Sequence, residues 1–105
     1  MELFIQSSLA FETLAERINE IALPGFDREL REGLNLGGGE YFKFSQSSVE
    51  VLLVCNDAEH AEVFLPERAS FPFYCYARKG SDEILEKMAQ TLANNGISCE
   101  VGDES

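Results

Sequence analysis

The chain has 105 residues, 45% of them hydrophobic and 26% charged, with 8 glycines and 3 prolines; this is the size and make-up of one globular domain and excludes a fibrous or disordered chain. Its 19 acidic against 8 basic side chains give a formal charge of −11, a field that repels phosphate backbones and sets aside nucleic acid and anionic membranes as partners. No apolar run reaches membrane-spanning length, and Met1-Glu2-Leu3-Phe4-Ile5 lacks the basic start and apolar stretch of a signal peptide. The expectation is therefore a soluble, cytoplasmic protein folded as a single α+β domain over residues 1–105.

In chain order, residues 2–6 are short, apolar and bounded by Ser7-Ser8, so they are read as a first strand. Ala10, Phe11, Leu14, Ala15, Ile18, Ile21 and Ala22 then recur at i, i+3, i+4, i+7, which predicts one apolar stripe on a helix of about four turns. Ser8 is its expected N-cap and Pro24-Gly25 its stop. A further helical turn is expected over Asp27 to Glu32, ended by Gly33.

The segments 41–46 and 49–55 flank Ser47-Ser48, and a reversal there fixes the register by counting. Phe44 then faces Val51 and Phe42 faces Leu53 on the core side, while Tyr41 faces Val54 and Lys43 faces Leu52 on the other. Residues 56–60 read as a polar loop, Glu62-Val63-Phe64-Leu65 as a short edge strand, and Phe71 to Arg78 as a further strand with Pro72 at its start. Ser81 is the expected cap of a second helix whose stripe is Ile84, Leu85, Met88, Ala89, Leu92 and Ala93; Asn94-Asn95-Gly96 ends it. Ile97, Cys99 and Val101 alternate as a last strand. Two amphipathic helices on one face of a mainly antiparallel sheet of about five strands give a two-layer sandwich, in the order β-α-β-β-β-α-β. Right-handed crossovers make this a split-βαβ, ferredoxin-like arrangement.

Chemistry-bearing patterns are few. The glycines of Gly33-Leu34-Asn35-Leu36-Gly37-Gly38-Gly39 precede a strand, whereas a phosphate loop follows one and opens a helix, so they read as a connection. Asp57, Glu59, His60 and Glu62 hold the one histidine of the chain, but their spacing matches no closed metal pattern and no nucleophile elbow is present. Cys55, Cys75 and Cys99 are odd in number and lie in strand-like runs, which fits buried free thiols rather than a disulfide framework. No cofactor and no metal is expected, and catalysis is the minority reading.

Two surface features carry more. Glu12, Glu16 and Glu20 form a like-charge ridge at i, i+4 spacing on the first helix, relieved in part by Arg17. Each such pair costs the helix ~0.2–0.5 kcal/mol, so the ridge is either a solvated face or a surface presented to a basic partner. Strand alternation also places Phe4, Tyr41, Leu52, Val54, Tyr74 and Tyr76, with Lys43 and Arg78, on the sheet side away from the helices. An open antiparallel sheet ordinarily shows polar residues there. Either loop 24–39 or 56–70 folds over this side, or it associates with another surface.

The leading expectation is a non-enzymatic protein-binding module, self-associating through that face. Its concrete form is an acidic immunity-type protein that neutralises a basic partner. The alternatives are a small-molecule sensor or minor enzyme, with a pocket between the sheet and the 24–39 loop near Tyr41, and a structural homodimer subunit.

Overall fold

The structure, a computed structural model, describes residues 2–32, 40–55, 71–79 and 83–102. Strand β1 spans Glu2–Gln6 and helix α1 spans Phe11–Ile21; strands β2 (Asp27–Glu32), β3 (Glu40–Gln46), β4 (Val49–Cys55) and β5 (Phe73–Lys79) follow, then α2 (Glu83–Asn94) and β6 (Ser98–Gly102). The described strands form one antiparallel sheet in the order β2-β3-β4-β5-β1-β6. Because β1 is antiparallel to both of its neighbours, β5 and β6 run in the same direction with β1 between them, joined through α2.

Helix α1 forms because its apolar positions converge: Leu14, Ala15 and Ile18 are buried against the sheet while Glu12, Glu16 and Glu20 point to solvent. It is shorter than the four turns the stripe suggests. Its N-cap is Ala10, not Ser8, and no side chain caps it; the hydroxyl of Ser7 instead accepts from the Leu9 amide at 3.1 Å. The far end closes tightly. The Leu23 amide donates back to the Ile18 carbonyl at 2.9 Å, and the Phe26 amide reaches the Leu23 carbonyl at 3.3 Å across Pro24 and Gly25. Proline followed by a glycine at φ 83° is the type II turn pattern. The Asn19 side chain donates to the carbonyls of Leu23 (3.0 Å) and Phe26 (3.1 Å), tying the turn to the helix.

That turn redirects the chain into β2, where the sequence suggests a helical turn. Asp27 to Glu32 pair along their whole length with Ser45 to Glu40. A six-residue stretch with one apolar side chain has no hydrophobic period of either kind; the tertiary partner decides it, through Leu30 lying opposite Phe42. The sheet consequently has six strands rather than about five, counted among the described residues. The edge strand expected at 62–65 lies outside them.

The hairpin β3–β4 has the register obtained by counting: Phe44 faces Val51, Phe42 faces Leu53, Lys43 faces Leu52 and Tyr41 faces Val54. Ser47 is left-handed at φ 54° and is the one non-glycine residue with positive φ among the described residues, the type II′ pattern for a two-residue reversal. Between β4 and β5 the register slips, Glu50 pairing with Lys79 but Val51 with Ala77, so Arg78 is the extra residue of a bulge.

Helix α2 buries Leu85, Met88 and Leu92, and Ala93, counted in its stripe, is exposed. It ends in paired 6→1 and 5→2 bonds: the Ile97 amide to the Leu92 carbonyl at 2.9 Å and the Gly96 amide to the Ala93 carbonyl at 3.1 Å. Both helices pack on the same side of the sheet, enclosing Leu3, Ile5, Phe42, Phe44, Val51, Leu53 and Cys75. No helix among the described residues is long and apolar enough to cross a membrane.

Candidate interaction surfaces

The side of the sheet away from the helices is built from two rows of paired residues. One row runs Arg31, Tyr41, Val54, Tyr74, Phe4 and Glu100 across the strands from β2 to β6; the other runs Glu29, Lys43, Leu52 and Tyr76. The alternation therefore places Phe4, Tyr41, Lys43, Leu52, Val54, Tyr74 and Tyr76 together, as the period of two predicts. Their exposure is uneven. Phe4, Leu52, Val54 and Tyr74 are at most 1% exposed and form a second hydrophobic cluster, with Tyr41, Phe71 and Tyr76 packed around it.

Rings meet in this cluster. Phe4 lies 5.8 Å from Phe71 and 6.3 Å from Tyr74, and Tyr74 stacks on Tyr76 at 6.2 Å between centroids. Burial pushes the Tyr74 phenol well above its ordinary value, and the neighbouring Tyr76 and Glu2 add to the effect. Burial also raises Tyr76, opposed by the guanidinium of Arg78 and reinforced by Tyr41. The centre of this face is thus covered within a single chain; Tyr41, Phe71 and Tyr76 are the aromatic positions left half-buried at its margin. Of the two loops considered as its cover, residues 27–32 lie in the plane of the sheet as β2, while 33–39 and 56–70 fall outside the described residues.

Lys43 breaks the apolar run. Its side chain is 18% exposed, with Nζ 3.5 Å from Glu50 and 3.8 Å from Glu29, so the charge is flanked by carboxylates from the strands on either side. A lysine in that position is better read as sheet structure than as a free cation.

The glutamate ridge stands on the opposite side of the molecule's sheet, on the solvent face of α1. Glu12, Glu16 and Glu20 are all exposed. Arg17 approaches Glu20 at 3.8 Å, and Arg28 reaches across from β2 to within 4.0 Å of Glu16. Exposed pairs at such distances offset little of the charge. Beside the ridge, where the sheet extends past α1, lies a groove of about 310 Å³ lined by Phe11, Leu30 and Phe42 with Glu12 and Glu40. Phe11 meets Phe42 edge-on at 4.9 Å, and Leu30 is 55% exposed. Sequence reasoning misses this groove because it depends on β2; the faint signal is the lone Leu30 among charges.

The cysteines are free. Cys75 is fully buried, and burial raises its thiol far above the ordinary value, with Cys99 contributing; such a thiol is inert at neutral pH. Cys99, half-buried and likewise raised by burial, donates to the Ala89 carbonyl at 3.3 Å. Among the described residues no group of three or more His, Cys, Asp and Glu side chains could hold a metal ion. The Asp57, Glu59, His60 and Glu62 cluster and Gly33 to Gly39 lie outside those residues.

Comparison with known proteins finds no matching family model and no matching curated protein.

Proposed function

We propose that the protein is a non-catalytic module that binds a basic protein through α1 and the groove beside it. The carrying observation is the continuity of charge and apolar surface there. Glu12 belongs both to the exposed ridge with Glu16 and Glu20 and to the rim of the groove floored by Phe11, Leu30 and Phe42. Apolar floor with a charged rim is the composition of a protein-recognition surface, and a net charge of −11 steers cationic partners toward it. An immunity-type role, in which the acidic surface masks a basic active site, is the concrete form of this reading. The three free cysteines support the cytoplasm as the compartment that goes with this reading.

The test is retention on immobilised protein at low and high salt, with the Glu12→Gln/Glu16→Gln/Glu20→Gln variant alongside. A basic protein held at low salt by the wild type, released at high salt and lost by the variant supports the reading. Retention of no basic protein at low salt overturns it.

We further infer a ferredoxin-like core. The neighbouring order β4-β5-β1-β6, with the β2–β3 extension entering between α1 and β4, supports this reading.

A further inference from the structure

Strand β2 is an edge, pairing on one side with β3 and with no other strand among the described residues. All six of its residues are exposed. A regular edge strand offers a row of backbone donors and acceptors that another strand can complete. Natural edges are commonly blunted with charge, and β2 is charged at every position except Leu30. The order of those charges is what matters.

We propose that β2 pairs antiparallel with β2 of a second copy, about a two-fold axis through Leu30. In this register Arg28 faces Glu32 of the second copy, and Glu29 faces Arg31. Each pair occurs twice by symmetry, so four opposite-charge contacts flank a Leu30–Leu30 contact on the axis. Directly opposed residues of an antiparallel pair share a face. Arg28, Leu30 and Glu32 lie on the helix side, where Leu30 sits opposite Phe42, and Glu29 and Arg31 lie on the other with Lys43 and Tyr41.

Every neighbouring register is worse. Opposed side chains share a face only when the two-fold passes through a residue, so the neighbouring registers centre on Glu29 and on Arg31. An axis through Glu29 or through Arg31 opposes that residue to itself. Like charges directly opposite one another destabilise a sheet and opposite charges stabilise it, so the strand selects one self-pairing and rejects the others. Leu30, 55% exposed as it stands, then becomes the apolar centre of the contact. The interface is small and belongs with weak, transient associations.

Sedimentation equilibrium of the full chain tests this at about 10 μM to 1 mM, the range proper to a small interface, and at about 0.15 M salt to screen the net charge. The wild type is expected to move from 11.7 kDa toward twice that mass. Arg31→Glu alone and Glu29→Arg alone each oppose like charges across the axis, and each is expected to weaken self-association about tenfold or more. An equimolar mixture of the two variants restores both opposite-charge pairs and is expected to recover association. A wild type that stays monomeric throughout overturns the proposal. So does a dimer indifferent to both substitutions, or a mixture that does not recover. Should either charge variant fail to fold, Leu30→Asp takes its place: at an exposed position it sets two carboxylates against each other on the axis, and a dimer that survives it overturns the proposal. The inference shares Leu30 with the groove of the basic-partner reading but is tested apart from it: Glu29 and Arg31 lie on the sheet side away from α1, so their substitutions leave the ridge and the groove intact.

Discussion

Phe4 on β1 is paired directly with Tyr74 on β5, their rings 6.3 Å apart on the side of the sheet opposite α1 and α2, and neither is more than 1% exposed. A two-layer sandwich has one core, between helices and sheet; here the sheet is buried on both sides at its centre. Leu52 and Leu53 make the comparison cleanly, since they are adjacent on β4, point to opposite faces and are 1% and 0% exposed. Leu52→Ala and Leu53→Ala are each expected to cost about 2–5 kcal/mol, the range for a buried leucine that leaves a cavity. Chemical denaturation of the two variants checks this. A Leu52→Ala cost under about 1 kcal/mol, the range of an exposed site, would show that the outer cluster is not a core.

Much of this is legible in the sequence, because strand alternation has a period of two and Ser47-Ser48 is a short reversal. Those facts alone put Tyr41, Leu52 and Val54 on one side and Phe42, Leu53 and Val51 on the other, as the pairings have it. Burial is not legible, since periodicity reports direction and not cover. The segment Asp27–Glu32 escapes a sequence reading for a related reason: with five charged residues around Leu30 it has no apolar pattern, and its strand character comes from pairing with β3. The groove of Phe11, Leu30 and Phe42 inherits that gap, whereas the ridge of Glu12, Glu16 and Glu20 needs only helical spacing and lies where that spacing puts it.

Ser47 holds φ at 54° at the tip of β3–β4, where a Cβ is disfavoured and a glycine is not. Ser47→Gly is expected to raise stability by about 0.5–1 kcal/mol, relief of the backbone outweighing the added freedom of the unfolded chain. The thermal midpoint should rise by a few degrees. A lower midpoint would mean that the serine side chain contributes more than its backbone costs.

Gly96 presents the opposite case. Its φ of 79° closes α2 in the left-handed conformation, and a Cβ built there meets nothing within 4 Å. Steric collision is therefore absent, and the cost of Gly96→Ala is the backbone conformation alone, about 1 kcal/mol. Gly96→Asn is expected to cost less, because asparagine tolerates that region. Equal losses for both variants in a denaturant titration would point to some other role for the glycine.

Among the described residues, four groups have proton affinities raised by burial: the thiols of Cys75 and Cys99, ordinarily near 9.0, and the phenols of Tyr74 and Tyr76, ordinarily near 10.0. In the unfolded chain they release protons at those ordinary values, while the folded chain retains them to higher pH. The unfolded state is thus favoured progressively as pH rises past 9, and the full stabilisation is present below it. For Cys75 and Tyr74, the two that are most enclosed, the slope is up to about 1.4 kcal/mol per pH unit each, the free energy of one proton. Unfolding midpoints in denaturant are expected to be level with respect to these groups from about pH 7 to 9 and to fall steeply beyond about pH 10. The part of the tyrosinate absorbance that Tyr74→Phe removes should appear together with the loss of structure instead of ahead of it. Tyr74→Phe removes one titrating group while keeping its ring, so its midpoint should decline less steeply above pH 10 than that of the wild type. Identical alkaline slopes for the two proteins would mean that the Tyr74 hydroxyl reaches water in the folded state and that the outer face is open after all.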